Sequence, residues 1–164
     1  MKYRIPNLPI FEKNARAMGA TPVVVAWSEY PFALMQGVVD GGECSKDSYR
    51  SAGLYESAKY VADVDYAYPV EQICFSTQFW NSLSEEDQKV ISDAAAQVAS
   101  HHSERTLDKW EEDKEWLINE GGVTFCDIDR QAFIDAAEPL GKELQDEGFF
   151  TTKDLYDQTR QFNK

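Results

Sequence analysis

Hydrophobic positions along the chain change period several times, and each change predicts an element. Residues 2–6 read as a short strand ended by Pro6. Pro9 opens a predicted helix over residues 10–18, with Phe11, Ala15 and Met18 on one face, and Gly19 stops it. Thr21-Pro22 leads into residues 23–27, Val-Val-Val-Ala-Trp, a β-branched run that predicts a buried parallel strand. Ser28 stands where an N-cap belongs, and Pro31 falls in the first helical turn, where its missing N–H has no partner to lose. Phe32, Leu34, Met35 and Val38 supply that helix's apolar side, and Asp40-Gly41-Gly42 makes the turn after it. Strands alternating with helices across short links predict an α/β fold.

The remainder is richer in helix. Residues 46–56 are predicted helical or turn-like, with Tyr49, Leu54 and Tyr55 packing inward. Two strand-like runs follow, 59–64 and 66–76, the second interrupted by Pro69. Thr77 is placed to cap a short helix through Trp80. Ser84-Glu85-Glu86-Asp87 is a capping-box-like start with acids well placed for the helix dipole. From Glu85 to about Asn119 nothing breaks a helix, and a partial apolar stripe runs from Val90 and Ile91 through Val98 to Trp110 and Leu117. At 1.5 Å per residue such a helix reaches on the order of 50 Å, longer than one small lobe needs. Gly121-Gly122 ends it; residues 123–126 are a predicted strand, and 130–145 and 152–161 predicted helices.

Composition narrows the function classes. With 43% hydrophobic and 27% charged residues in 164, the chain has the make-up of a folded globular protein. A formal charge of −13 and a pI of about 4.5 argue against nucleic-acid or anionic-membrane partners. One buried Arg can still dominate a local anion site. No apolar run approaches the roughly 20 residues that cross a bilayer. Met1-Lys2-Tyr3-Arg4 leads straight into Ile5-Pro6 without a signal-peptide core, so the expectation is a cytoplasmic chain or a mature or truncated piece of an exported one. Cys44, Cys74 and Cys126 form no C-x-x-C, which removes zinc-clasp and thioredoxin-type readings; Cys74 and Cys126 sit in apolar runs and are expected to be buried thiols. No metal site or cofactor motif is present: G-x-S-x-G, Walker and H-E-x-x-H patterns are all missing.

Several segments together resemble one family. They are Lys2-Tyr3-Arg4-Ile5-Pro6, Gly19-Ala20-Thr21-Pro22, Ala26-Trp27-Ser28-Glu29, Gln36-Gly37-Val38-Val39-Asp40-Gly41 and Phe75-Ser76-Thr77-Gln78-Phe79-Trp80-Asn81-Ser82-Leu83. Their order and spacing resemble the substrate-binding proteins of tripartite ATP-independent periplasmic (TRAP) transporters, the DctP-like family. The resemblance implies the C-terminal part of a two-lobe periplasmic-binding-protein fold with a long bridging helix. On that reading residues 1–68 form most of the second α/β lobe. Residues 69–108 hold the crossover and helices of the first lobe and the bridging helix, and residues 109–164 return to the second lobe. The implied function is periplasmic capture of an organic acid, of the C4-dicarboxylate or sugar-acid type, and its delivery to a membrane permease. The chain would be a fragment without a complete cleft and without enzymatic chemistry.

The resemblance also nominates site residues. Arg4, in the K-x-R-x-P segment, corresponds to the family's carboxylate-binding Arg, and a guanidinium can give a carboxylate two parallel charge-assisted bonds. The ordinary alternative is an edge-strand Arg paired with an acid. Trp27 corresponds to the aromatic lining the cleft; a core Trp is its alternative. Glu43 and Cys44 fall in a loop that in the family usually reads Asp-Gly-Gln-Glu-Asn-Pro, so Cys44 stands where relatives carry Asn, and a thiol is a poor substitute for an amide. Asp40 is expected to fix the turn. Tyr68 lies at the implied inter-lobe crossover, bordering the cleft or packing at the hinge.

Two other classes compete. An enzyme would recruit Cys44 as nucleophile with His101 or His102, but those two are adjacent on a helix, about 100° apart, and form no i, i+4 pair. A truncated interaction module would bind no ligand and would self-associate, as a homo-oligomer, through the apolar surface left by a missing lobe.

Overall fold

The computed structural model describes residues 1–65, 67 and 72–162, apart from the side chains of Asp47 and Ser103. Strand β1 (Lys2–Ile5) is central in a three-stranded parallel sheet of order β2-β1-β3. Helix α1 (Pro9–Ala17) connects it to β2 (Thr21–Val24). Proline at the helix start and Gly19 at φ 76° beyond its end bound α1 as the sequence predicts. A 3₁₀ turn, Trp27–Glu29, then runs into α2 (Tyr30–Met35), and the two-residue β3 (Gly41–Gly42) closes the sheet. Arg4 is in register with Val23 on one side and Gly42 on the other. The carbonyl ends of all three strands therefore open on one edge.

Two details differ from the pattern reading. The second strand stops at Val24, and it lies at a sheet edge with Val24 56% exposed. An edge position is where a strand containing Pro22 belongs, because proline gives the ladder no N–H. Ser28 is not a helix cap: it sits inside the 3₁₀ turn, whose N-cap is Ala26 and has no side-chain bond. The chain tightens before it becomes α-helical, which puts Trp27 beyond the strand end.

Helix α3 (Lys46–Ser51) follows, and the short strands β4 (Tyr60–Val61) and β5 (Thr124–Phe125) pair in parallel as a second, two-stranded sheet. Helix α4 (Thr77–Ser82) is capped by Ser76, whose Oγ accepts from Phe79 N at 3.2 Å, one residue before the expected cap. Helix α5 (Glu85–Asn119) runs 35 residues unbroken. Ser84 Oγ accepts from Asp87 N at 3.1 Å at its start, and Gly122 turns the chain at φ 64° beyond its end. Helix α6 (Arg130–Asp146) returns to α1 through Lys13, which bonds Glu143 at 2.6 Å and Glu147 at 2.9 Å, and α7 (Leu155–Arg160) follows.

The core is formed by Tyr30, Ala33, Val39, Tyr49, Leu54, Trp110, Leu117 and Val123. Only the last third of α5 contributes. Trp110, Asp113 and Leu117 recur at helical spacing and are buried against α3 and its surroundings, whereas Val90, Val98 and Leu107 are 62%, 56% and 70% exposed. The apolar stripe is thus split: one end is packed and the rest is uncovered in this chain. Residues 72–76 are not a strand, since a strand needs a hydrogen-bonded neighbour and none lies beside them among the described residues. Cys74 and Cys126 are exposed thiols rather than buried ones: Cys126 follows the inward Phe125 at a strand end and so faces out, and Cys74 lies in a segment without strand partners among the described residues.

Candidate ligand site at the sheet edge

Arg4 is the chemical centre of the open edge. It is 4% exposed, and β1 carries it between the two neighbouring strands. Its Nε donates to Val25 O at 3.0 Å, which orients the guanidinium where the chain leaves β2. Its Nη1 donates to Glu43 Oε1 at 3.2 Å, just beyond β3. A guanidinium has five N–H donors. The other three donors, one on Nη1 and two on Nη2, have no protein acceptor among the described residues. Terminal N–H groups of this kind present the planar two-donor edge a carboxylate accepts.

Two aromatic rings stand beside the cation. Arg4 Cζ is 5.4 Å from the Trp27 ring centre and 5.1 Å from that of Tyr30. Trp27 remains 43% exposed, so it is a wall of the edge and not a core tryptophan. Tyr30 is 3% exposed. Burial pushes the Tyr30 phenol far above the usual tyrosine range; a Cys44 thiolate would add to that and the Arg4 charge opposes it. The phenol is therefore neutral at physiological pH.

Glu43 behaves as a partial counter-ion. Burial raises its carboxyl above the ordinary glutamate range, and Arg4 opposes that without cancelling it. Asp40 fixes the turn, its carboxylate accepting from Lys2 N at 2.6 Å. Cys44 is half-buried, forms no disulfide and packs on the core beside Tyr30 and Tyr49. The structure thus brings Arg4, Trp27 and Glu43 to one edge with Cys44 next along the chain. Tyr68 lies outside the described residues. His101 and His102 sit exposed on α5, and no cluster able to hold a metal occurs among the described residues.

Pattern reading missed Tyr30 and Gly42. Trp27 and Tyr30 are three apart on a helical turn, so one face presents both, a signal that was available. Gly42 allows a close approach that only the fold reveals: a Cβ there would lie 2.7 Å from Tyr30 Oη and 2.8 Å from Arg4 Cβ. A separate hollow of about 340 Å³ is lined by Phe75, Thr77 and Trp80. With no charged side chain in its lining, it lacks the donor chemistry that Arg4 offers.

Known proteins match this chain in sequence and in fold. Residues 1–147 match the DctP family, bacterial extracellular solute-binding protein family 7. A solute-binding protein of Roseobacter denitrificans is 34% identical over 138 residues, 84% of this chain and 42% of that protein. A TRAP periplasmic solute-binding protein of the same organism, solved with bound L-galactonate, superposes with a TM-score of 0.83 at 29% identity over 100% of this chain and 52% of that one. Another, from Chromohalobacter salexigens with bound D-glucuronate, gives 0.84 at 27% identity over 90% of this chain and 49% of that one. The chain spans about half the length of the relatives it matches, and no helix among its described residues is long and apolar enough to cross a membrane. By sequence and by fold, this chain belongs to the DctP family of TRAP-type extracellular solute-binding proteins.

Proposed function

We propose that this chain supplies one wall of an organic-acid cleft in a periplasmic TRAP receptor that hands its ligand to a membrane permease. The observation that carries the reading is the buried Arg4, held by Val25 O and flanked by Trp27, with its outer N–H edge unused by the described residues. A ligand carboxylate would accept from that edge, and Trp27 would lie against the ligand's apolar face. Solved relatives holding L-galactonate and D-glucuronate support the sugar-acid class over C4-dicarboxylates. Binding would be capture without chemistry, completed by closure of a second wall, since the ligand gains contacts available only in the closed state. One wall alone would hold such a ligand weakly, because a ligand must be mostly buried to be held tightly.

A second reading has one observation in its favour. Phe75 and Phe79 stack at 5.9 Å while 43% and 47% exposed, in the segment that leads into α5. A module that self-associates through that face would not need the Arg4 edge. An NMR titration of the chain with D-glucuronate, L-galactonate, succinate and neutral D-glucose separates the two. The carboxylates should shift the Arg4 Nε–H and Trp27 indole signals, and glucose should not. Equal shifts with glucose, or none with any acid, would sink the capture reading.

A further inference from the structure

We propose that Tyr30 is a positioning residue for Arg4: its ring seats the guanidinium from one flank without using a donor, so the N–H groups not taken by Val25 and Glu43 are left for a ligand. The inference rests on the reading of Arg4 as a carboxylate-binding cation and adds how that cation is aimed. The Arg4 Cζ-to-ring distances of 5.1 and 5.4 Å and the Trp27–Tyr30 ring separation of 5.9 Å make a nearly equilateral triangle. Two rings sandwiching a cation would stand nearly twice as far from each other as from it. Both rings therefore lie on one side of the guanidinium, tilted at 54° to each other, and the other side is free of them.

The two rings are not equivalent. Trp27 is 43% exposed and Tyr30 is 3% exposed. Tyr30 also reaches the sheet: its Oη is 2.7 Å from where a Gly42 Cβ would be, and that same point is 2.8 Å from Arg4 Cβ. The ring thus runs alongside the Arg4 side chain from its Cβ to its guanidinium, in space that any larger residue at 42 would take. Gly42 is what admits it.

The choice of a ring has a functional consequence. A second carboxylate in that place would use N–H donors and neutralise the charge, leaving a ligand acid little to gain. A neutral phenol ring attracts the cation through its quadrupole and consumes no donor. Burial keeps the Tyr30 phenol protonated, so it adds no negative charge beside Glu43.

The test is the Arg4 Nε–H signal in the 164-residue chain, observed by nitrogen-resolved NMR. In the parent protein this proton should be shifted upfield by the rings and show cross-relaxation to Tyr30 ring protons. Tyr30→Leu should speed its solvent exchange by about tenfold, the scale of a desolvated cation–ring contact, and Tyr30→Phe should stay within about twofold. D-glucuronate affinity should follow the same order. An unchanged Arg4 exchange rate in Tyr30→Leu, or a Tyr30→Phe as harmful as Tyr30→Leu, overturns the proposal. Should Tyr30→Leu not fold, the absence of the parent's upfield shift and cross-relaxation overturns it equally. A parent protein that binds no acid would remove the capture reading, while the Arg4 exchange rates would still decide the role of Tyr30.

Discussion

Arg4 is 4% exposed and has a single carboxylate partner, Glu43, among the described residues. Burial raises the Glu43 pKa above its usual value of 4.5. Folding therefore favours the protonated acid, so the contribution of Glu43 to stability is full below pH 4.5 and is lost as pH rises through the raised value. Glu43→Gln keeps an acceptor for Arg4 and removes the titration. Urea unfolding should show the variant gaining on the parent as pH rises from about 4.5 toward 7; a pH-independent difference contradicts this. Gly42→Ala should cost about 1–3 kcal/mol by the same method, the range for forced overpacking, because its Cβ meets Tyr30 Oη and both backbone and Cβ of Arg4. Arg4 and Trp27 were legible in the sequence because each sits in a short motif of fixed spacing. Tyr30 is harder to read, since an aromatic at the start of an amphipathic helix reads as core, which it also is, and only its three-residue spacing from Trp27 points to the edge.

At the level of elements, α5 is held to the rest of the molecule by a few contacts near its end. Asp113 is 3% exposed and accepts from Arg50 at 2.7 Å and from Lys109, while the Arg50 guanidinium lies 3.9 Å from the Trp116 ring centre. Burial pushes the Asp113 carboxyl up, but the bonds from Lys109 and Arg50 outweigh it and leave it below the ordinary aspartate value. This stabilisation is complete above an ordinary aspartate pKa of about 3.9 and fades as pH falls through the lowered value. Asp113→Ala should cost about 1–2 kcal/mol, less than a fully buried pair because Arg50 and Lys109 are partly solvated. Hydrogen exchange should speed along the last third of α5; unchanged protection there contradicts the role. The length of α5 was legible because Ser84 and the Gly121-Gly122 pair punctuate both ends. Which part of its stripe is buried was not, because periodicity identifies a face without saying whether anything covers it. Residues 72–76 have the composition of a strand, but composition supplies no neighbouring strand; residues 66 and 68–71 of the predicted run lie outside the described residues.

For the whole molecule, Ile73, Phe75, Phe79, Val90 and Val98 stand exposed on and before α5. Phe79→Ser should change stability by no more than about 0.5 kcal/mol, as at other exposed sites. If the module reading holds, the same change should abolish a concentration-dependent rise in mass seen by light scattering; a parent chain monomeric at high concentration removes that reading. The net charge of −13 opposes such contacts at low salt, so the comparison belongs at an ionic strength where screening is short-ranged.

Calorimetry of D-glucuronate against the parent chain and Arg4→Lys decides whether Arg4 receives a ligand carboxylate in an unfinished cleft of which this chain supplies one wall. Lysine keeps the charge but loses the paired planar donors. Binding no tighter than about 1 mM is expected for the parent and none measurable for Arg4→Lys. Submicromolar binding by the parent chain alone would contradict the unfinished cleft, and equal affinity in the two proteins would remove Arg4 from the site.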